Sequence, residues 1–226
     1  MVVPVIPCLN PDQKLIKLVQ ELESYFRDII VVNDGSISNE IFNKLSEKKN
    51  VKVLTHDVNK GKGEALKTAF RYYKETLMND YSGVITLDCD GQHAVSDVIK
   101  MSEIIDKNHN FLLGTRLFNT KQTPLRNKLG NRITSWLFKK RYKVYIKDTQ
   151  TGLRAIPNRL IDFSINVDGS GFEYEMNVLI LLVKKNEIVE EFDIKTIYLK
   201  NSNKNSHFKI FKDSYKIYKL FFTNRK

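Results

Sequence analysis

The chain alternates short apolar, β-branched runs with segments whose apolar residues recur at helical spacing, and this alternation limits its fold more than any other feature. Val2–Leu9 predicts a first strand, and the apolar stripe within 13–26 predicts the helix that follows it. Strands that alternate with helices indicate an α/β domain with a mostly parallel sheet. Further strands are predicted at 28–32, 51–55, 84–87 and 111–114, and further helices at 41–48, 64–78 and 95–108.

The fourth predicted strand leads directly into an acidic turn. Side chains two residues apart on an extended strand point the same way, so we expect the carboxylates of Asp88 and Asp90 to converge. Two hard oxygen ligands, with Gln92 two residues further on, suit Mg²⁺ or Mn²⁺ that carries a substrate phosphate. Gly91 allows the backbone to turn tightly beneath them. An Asp-rich turn without a metal is the alternative interpretation.

Polar, glycine-containing segments follow three of the predicted strands, at 33–36, 59–63 and 88–93. Ligands of open α/β sheets bind beyond the carboxyl ends of the strands, where these segments should meet. The coincidence predicts a nucleotide site at that edge, whereas each segment alone also fits an ordinary turn between a strand and a helix.

The second half of the chain is strongly basic, and the whole sequence carries a formal charge of +11. Such an excess favours polyanionic partners. Apolar residues recur at helical spacing among Lys and Arg residues and predict a basic amphipathic helix. They are Leu129, Ile133, Trp136 and Leu137. This helix is interpreted either as a solvated face backed by a core stripe or as a contact for phosphates or an anionic membrane surface. A nucleic-acid-binding module is the rival from another class.

The remaining segments are predicted from the same patterns. A polar loop covers 148–155, a helix opens at Gly171, a β-like segment covers 188–199, and a basic aromatic helix covers 208–222. In the helix after Gly171, carboxylates occupy the first turn, where the helix dipole favours them, and that role competes with a catalytic one.

The sequence also limits the compartment. Its two cysteines, Cys8 and Cys89, make no disulfide framework, which indicates a reducing cytoplasm. No apolar run reaches the ~18 residues of a membrane span, and no basic segment marks a signal peptide at the start. We therefore expect a cytoplasmic protein, with any attachment to the inner face of a membrane being peripheral.

Seven short motifs together resemble the family-2 glycosyltransferases of the GT-A fold, most closely the dolichyl- and polyprenyl-phosphate sugar transferases and their bacterial relatives. The motifs occur in the order of that family and cover almost the whole chain. The resemblance implies a Rossmann-like, three-layer α/β/α nucleotide-diphospho-sugar transferase. It also implies one domain over 1–226, with a nucleotide-sugar half at 1–115 and an acceptor half at 116–226 that contains the basic amphipathic helices. The motifs lie at 6–10, 31–36, 59–63, 88–93, 114–116, 150–154 and 203–208.

The resemblance assigns residues to the nucleotide. Pro7 and Asn10 would lie beside it, and Asp34 would face the base or ribose. Lys62 would lie in the loop under the nucleoside, and Asp88 would belong to the nucleotide pocket.

It also assigns residues to the metal and the phosphates. Asp90 would be the main metal carboxylate, and Gln92 would complete the shell of Mn²⁺ or Mg²⁺. Arg116 and Arg126 match basic positions that hold phosphates. His207 stands where lipid-phosphate members carry a Ser-Lys-Leu loop, and it would touch the diphosphate or the metal, with a purely structural histidine as the alternative.

The implied activity is inverting, metal-dependent transfer of a sugar from a UDP- or GDP-sugar to polyprenyl phosphate, in the biosynthesis of the cell envelope. A sugar hydroxyl of a polysaccharide or glycoprotein glycan is the alternative acceptor, and it would need a carboxylate base. Asp148, Glu173 and Glu175 are the candidates for that base. The absence of an evident Glu–Asp pair favours the phosphate acceptor, and we expect no nucleic-acid partner.

A sugar nucleotidyltransferase is the further alternative. It should carry a Gly-rich loop with a basic residue after the first strand, and Asn10–Asp12 fits that poorly. The acidic residue that often follows the strand's Asn in family-2 enzymes is Pro11 here.

Overall fold

The computed structural model describes residues 1–117, 125–195, 197 and 210–223, with side chains for all of these except 125–127, 210–212 and 223. One sheet contains the strands β1 Val2–Cys8, β2 Ile29–Asp34, β3 Val51–His56, β4 Gly83–Thr86, β5 Phe111–Arg116, β6 Arg154–Pro157 and β7 Val189–Ile194. The α-helices are α1 Lys14–Glu23, α2 Glu40–Ser46, α3 Lys62–Thr76, α4 Val95–Asn108, α5 Leu125–Tyr142, α6 Ile161–Ile165, α7 Glu173–Lys184 and α8 Ile210–Thr223.

The predicted α/β fold is confirmed, and most elements lie within a few residues of their predicted bounds. The helix predicted at 95–108 is α4, residue for residue. In the described part of the chain, no helix combines the length and the apolarity that crossing a bilayer requires.

The sheet has the order β3-β2-β1-β4-β6-β5-β7. All neighbouring strands are parallel except β6, which runs antiparallel to β4 and β5. After β1 the chain builds β2 and β3 on one side and then crosses to β4 on the other. The carboxyl ends of β1 and β4 therefore flank the point where the strand order reverses, which is where such sheets bind ligands.

Helices cover both faces of the sheet and make three layers. Alternate residues of β1 contribute to opposite cores, since side chains along a strand alternate between its faces. Val3 and Val5 join the core under α3, α5, α6, α7 and α8. Val2 and Ile6 join the core under α1, α2 and α4. Burial on both faces explains why these strands have near-continuous apolar sequences.

Strand β6 and helix α6 were not predicted. The predicted polar loop at 148–155 is wrong at its end, because Arg154 and Ala155 already belong to β6. The strand has only four residues and includes a proline, so it lacks an alternating pattern. Its pairing with β4 and β5, which are distant in sequence, makes it a strand.

Candidate active site

The predicted polar segments meet at one edge of the sheet. The parallel strands β1, β2, β4 and β5 all end there. Because β6 runs the other way, it begins at the same edge, with Arg154 paired to Thr86. The segment before β6, residues 148–153, therefore lies beside the acidic turn that follows β4.

The acidic turn brings two carboxylates together in a different way from the one we predicted. Strand β4 ends at Thr86, so Asp88 and Asp90 are not part of the extended strand. The chain turns instead, and Gly91 takes a φ of 73°, which favours glycine. Burial and the negative charge of Asp88 raise the pKa of Asp90.

Lys62 joins the acidic turn to α7. Its Nζ lies 2.8 Å from Asp88 Oδ1 and 2.8 Å from Glu175 Oε2. Burial disfavours the charge on Lys62, but the two carboxylates outweigh it and hold its pKa above the ordinary value. Burial likewise opposes ionisation of Asp88, yet Lys62 and His93, whose Nε2 lies 3.3 Å from Asp88 Oδ2, keep the pKa of Asp88 low. Lys62 and Asp88 are therefore both charged at neutral pH.

Gly152 makes room for the Asp88 carboxylate. A Cβ atom on residue 152 would lie 2.4 Å from Asp88 Oδ2, well inside contact distance. The segment before β6 can approach the acidic turn this closely only because residue 152 has no side chain.

Asp34 is buried at the end of β2 and organises the loop that precedes α3. His56 Nδ1 lies 2.7 Å from Asp34 Oδ1, and the backbone N–H groups of Lys60 and Gly61 donate to the carboxylate at 2.9 and 2.8 Å. Asp34 is only 3% exposed. Its contact with a base or ribose stays a prediction, and its contacts in this structure place Lys62 at the start of α3.

Pro7 and Asn10 lie at the end of β1, next to β2. Pro7 is buried and pairs with Val32 across the two strands. The backbone N–H of Asn10 donates to Ser36 Oγ at 2.8 Å, and its side-chain oxygen accepts from the N–H of Ile37 at 2.8 Å. The end of β1 is therefore tied to the polar segment at 33–36 that follows β2.

Arg116, at the end of β5, pairs with the fully buried Asp148. Its Nε and Nη2 donate to the carboxylate at 2.6 and 2.9 Å, and its backbone N–H donates at 3.2 Å. The N–H of Gln150 adds a further bond at 3.1 Å. The buried carboxylate of Asp148 is tolerated because both of its oxygens accept hydrogen bonds.

Sequence reasoning assigned no role to three buried residues of the site: His56, His93 and Arg154. Arg154 is 3% exposed and donates to the carbonyl groups of Thr151 and Glu175 at 3.0 and 2.5 Å. His93 and Arg154 lie inside two of the motifs that carried the family resemblance, so the signal was present. The contacts of His56 with Asp34 join separate strands and leave no local pattern.

The residues of the acidic turn fit a divalent cation that is shared with a substrate. Asp90 accepts from the backbone N–H of Gln92 at 3.0 Å and from its Nε2 at 2.7 Å, which orients the Gln92 amide beside the carboxylate. No group of three or more metal-binding side chains occurs among the described residues. Mg²⁺ commonly binds in this manner, through one or two carboxylates, with phosphate and water oxygens completing its shell.

Two predicted residues lie beyond what the structure describes. The backbone of Arg126 belongs to α5, but its side chain is not described. His207 lies outside the described residues altogether. Their predicted phosphate contacts stay predictions.

Comparison with known proteins identifies the family. A model of glycosyl transferase family 2 matches residues 5–168. The chain is 31% identical over 219 residues to the UDP-N-acetylglucosamine--dolichyl-phosphate N-acetylglucosaminyltransferase of Methanococcus voltae, covering 88% of this chain and 86% of that protein.

Solved structures share the fold at low sequence identity. Mannosyl-3-phosphoglycerate synthase from Rubrobacter xylanophilus is 14% identical, with a TM-score of 0.64 over 97% of this chain and 72% of that one. GalNAc-T7, solved with UDP, GalNAc and Mn²⁺, is 15% identical, with a TM-score of 0.57 over 89% of this chain and 44% of that one. The predicted GT-A fold is thereby confirmed. The chain belongs to glycosyl transferase family 2 and is a sugar-transferring enzyme.

Proposed function

We propose that this enzyme transfers a sugar, with inversion, from a UDP- or GDP-sugar to polyprenyl phosphate, and that it requires Mn²⁺ or Mg²⁺. One observation carries the choice of acceptor: each of the three carboxylates predicted as a general base is held by a cation or by backbone N–H groups. A sugar hydroxyl must lose its proton as it attacks, whereas a phosphate monoester, with a second pKa of about 6, is already ionised.

Asp148 and Glu175 are held in ion pairs. Asp148 is 0% exposed and is bound through two nitrogens of Arg116. Glu175 is 8% exposed, and its Oε2 contacts Lys62. Glu175 Oε1 accepts no hydrogen bond and lies 3.7 Å from Arg154 Nε. Either carboxylate would lose its ion pair if it took up a proton.

Glu173 is bound by the backbone. Its Oε1 accepts from the N–H groups of Ser170 and Gly171 at 3.2 and 3.1 Å. Burial works against its charge, but these bonds and the nearby Lys216 lower the pKa of Glu173 overall. Glu173 Oε2 accepts no hydrogen bond. Each of the three candidates is nevertheless held in place by other groups of the protein, and this supports an acceptor that has no proton to lose.

The chemistry is a single displacement. An acceptor phosphate oxygen attacks the anomeric carbon, the bond from that carbon to the diphosphate breaks, and the electron pair leaves on the β-phosphate. A divalent cation, when bound, would act as a Lewis acid on that leaving group. We propose that Asp90 and Gln92 hold the cation, and that Asp88 reaches the nucleotide while Lys62 keeps it ionised and oriented.

On this proposal Asp148 is a positioning residue. It fixes the guanidinium of Arg116 at the end of β5, where fixed positive charge would face a phosphate. Residues 1–115 would supply most contacts to the nucleotide sugar, and 116–226 most contacts to the acceptor. Glu175 and Lys62 come from different halves and meet at 2.8 Å, so the two halves would share one site.

Similarity to the Methanococcus voltae protein supports the lipid acceptor, since its name specifies a nucleotide sugar and dolichyl phosphate. The proposal includes a peripheral position at the inner face of the membrane, where such an acceptor would be presented.

A transfer assay tests the acceptor. The purified protein would be incubated with a panel of UDP- and GDP-sugars, Mn²⁺ or Mg²⁺, and a short-chain polyprenyl phosphate in detergent, with the product identified by mass spectrometry. The matched control is the polyprenol of the same chain length without its phosphate. We expect product only from the phosphate, and none after chelation of the metal. Transfer to a glycan hydroxyl, with none to the lipid phosphate, would reject the proposal.

A single substitution tests the metal site. Asp90→Asn keeps the shape of the side chain but removes the charge, and we expect turnover to fall on the order of a hundredfold or more, since a Lewis acid supplies several kcal/mol. Asp80→Asn, at an exposed position just before the start of β4 and so at the other end of that strand from the acidic turn, is the control and should leave turnover unchanged. Undiminished turnover of the Asp90 variant would contradict the assignment.

A further inference from the structure

Helix α5 turns apolar side chains outward. Leu129, Ile133 and Trp136 are spaced to share one face of the helix, and they are 60%, 40% and 56% exposed. The core-stripe interpretation is therefore wrong for these three residues, and it holds for Leu137, which is half-buried and packs against the core. Large apolar side chains at three successive positions of one face need a reason other than folding.

The inward face of the same helix is polar over the same turns. Asn131, Thr134 and Ser135 are 2%, 1% and 3% exposed. They bind the segment around Asp148: Asn131 Nδ2 donates to the carbonyl of Lys147 at 2.7 Å, and Thr134 Oγ1 lies 2.8 Å from the hydroxyl of Thr149. The polar face thus fixes α5 to the candidate site, and the apolar face is left to solvent.

Positive charge surrounds the exposed apolar side chains. Helix α5 contains six Lys and Arg residues and no Asp or Glu. The ammonium of Lys140 lies 4.9 Å from the centre of the Trp136 ring, and that of Lys139 lies 5.6 Å from the Tyr145 ring. Aliphatic and aromatic groups ringed by cations are the composition of a surface that lies on anionic lipid.

This surface borders a cavity of about 700 Å³ that reaches the candidate site. Leu117, Trp136 and Tyr145 line it on the apolar side, and Arg116 lines it where β5 ends. Among the described residues that line it, the one acidic residue is Asp193, whose carboxylate lies 3.6 Å from the ammonium of Lys147. The outward face of α5 and the phosphate-facing end of the site are therefore continuous.

We propose that the outward face of α5 is a docking face for a bilayer that contains anionic phospholipid. The docking face comprises Leu129, Ile133 and Trp136 with the exposed cations Arg132, Lys139 and Lys140. The apolar side chains would enter the boundary between headgroups and acyl chains, and the cations would contact lipid phosphates. The choice of lipid over another polyanion rests on the proposed function and on Leu129 and Ile133, which nucleic acid would leave in water.

Docking in this orientation has a consequence for the reaction. The cavity and Arg116 would open toward the headgroup layer, where the phosphate of a polyprenyl acceptor lies. The enzyme would then take its acceptor sideways from the membrane without extracting the whole chain.

The sequence contains a built-in reporter, because Trp136 is its only tryptophan. The test uses the full chain with vesicles that contain no polyprenyl phosphate and no nucleotide sugar. One set is phosphatidylcholine alone, and the other contains phosphatidylglycerol as well. We expect the Trp136 emission to shift to shorter wavelength with the anionic vesicles, and lipids brominated on their acyl chains to quench it.

Matched variants locate the contact. Leu129→Ser with Ile133→Ser should weaken vesicle binding by on the order of tenfold or more, since two aliphatic side chains lose their burial. Tyr25→Ser with Ile188→Ser removes two comparably exposed side chains elsewhere and should bind as the wild type does. Lys139→Gln and Lys140→Gln should each weaken binding to anionic vesicles about fivefold.

Several outcomes would overturn the docking face: no emission shift with anionic vesicles, wild-type binding by the Leu129 and Ile133 double variant, or an equal shift with single-stranded oligonucleotide at the same phosphate concentration. Transfer to a short acceptor in detergent is measured separately. If the protein transfers sugar to the short acceptor but does not bind the anionic vesicles, this inference alone is rejected. If it binds the vesicles but transfers no sugar to the lipid phosphate, only the proposed function is rejected.

Discussion

Helices α3 and α5 cover the same face of the sheet but use their apolar residues in opposite ways. In α3, Leu66, Phe70 and Tyr73 lie in the core, each at most 2% exposed. In α5, Phe138 packs inward against Phe221 of α8, while the stripe that begins at Leu129 faces solvent.

The difference shows that helical periodicity identifies a face without giving its direction. An apolar stripe faces inward when nothing else competes for the interior. In α5 the interior position is taken by Asn131 and Thr134, whose hydrogen bonds hold the backbone around Asp148. Asp148 and Thr149 are buried, so the backbone groups of this segment need polar partners, and α5 supplies them.

The largest expected contrast between the two helices is in packing. Phe70→Ala should lower the free energy of unfolding by about 3–5 kcal/mol because it leaves a cavity in the core. Trp136→Ala, an equally drastic truncation on the exposed face of α5, should change it by no more than about 0.5 kcal/mol. Urea unfolding followed by circular dichroism measures both. If the two variants lost similar amounts of unfolding free energy, Trp136 would be packed in the core, and the contrast between the two helices would be contradicted.

The next contrast lies within α5 itself, between neighbours on opposite faces. Asn131→Ala removes the partners of the Lys147 carbonyl and the Thr149 N–H, and should cost about 1–3 kcal/mol. Arg132→Ala, one residue further along and exposed, should stay within about 0.5 kcal/mol. The same unfolding assay applies, and a larger cost at Arg132 than at Asn131 would reverse our assignment of the two faces.

The last contrast, which contains the smallest single effect, has opposite signs in the two helices. In α3, a Cβ on residue 63 would lie 2.6 Å from Tyr174 Cβ, so Gly63→Ala should destabilise by about 1–3 kcal/mol. In α5, a Cβ on residue 130 would meet only the Gln150 side chain, at 3.8 Å, so Gly130→Ala should stabilise by about 0.5–1 kcal/mol. Thermal unfolding of both variants gives the signs, and a destabilised Gly130 variant would show that something covers this part of α5.

From the sequence we could name residues of the candidate site, but we could not predict the contacts between them. The acidic turn and Lys62 were both named from the sequence. Their direct pairing, and the link from Lys62 to Glu175, join α3, the turn after β4 and α7. Ionic contacts between segments so far apart leave no periodic trace, so Glu175 was assigned as a candidate base when its closest partner is a lysine.

The sequence by itself determined the order of strands and helices in the first half and the meeting of their polar ends, because periodicity is a local property and parallel strands end at one edge. Only the tertiary structure decided that β6 runs in reverse between β4 and β5, that Gly152 admits the Asp88 carboxylate, and that α5 turns its apolar stripe to solvent. Each of these depends on which distant groups fill the remaining space and satisfy buried hydrogen bonds, and no short stretch of sequence contains that information.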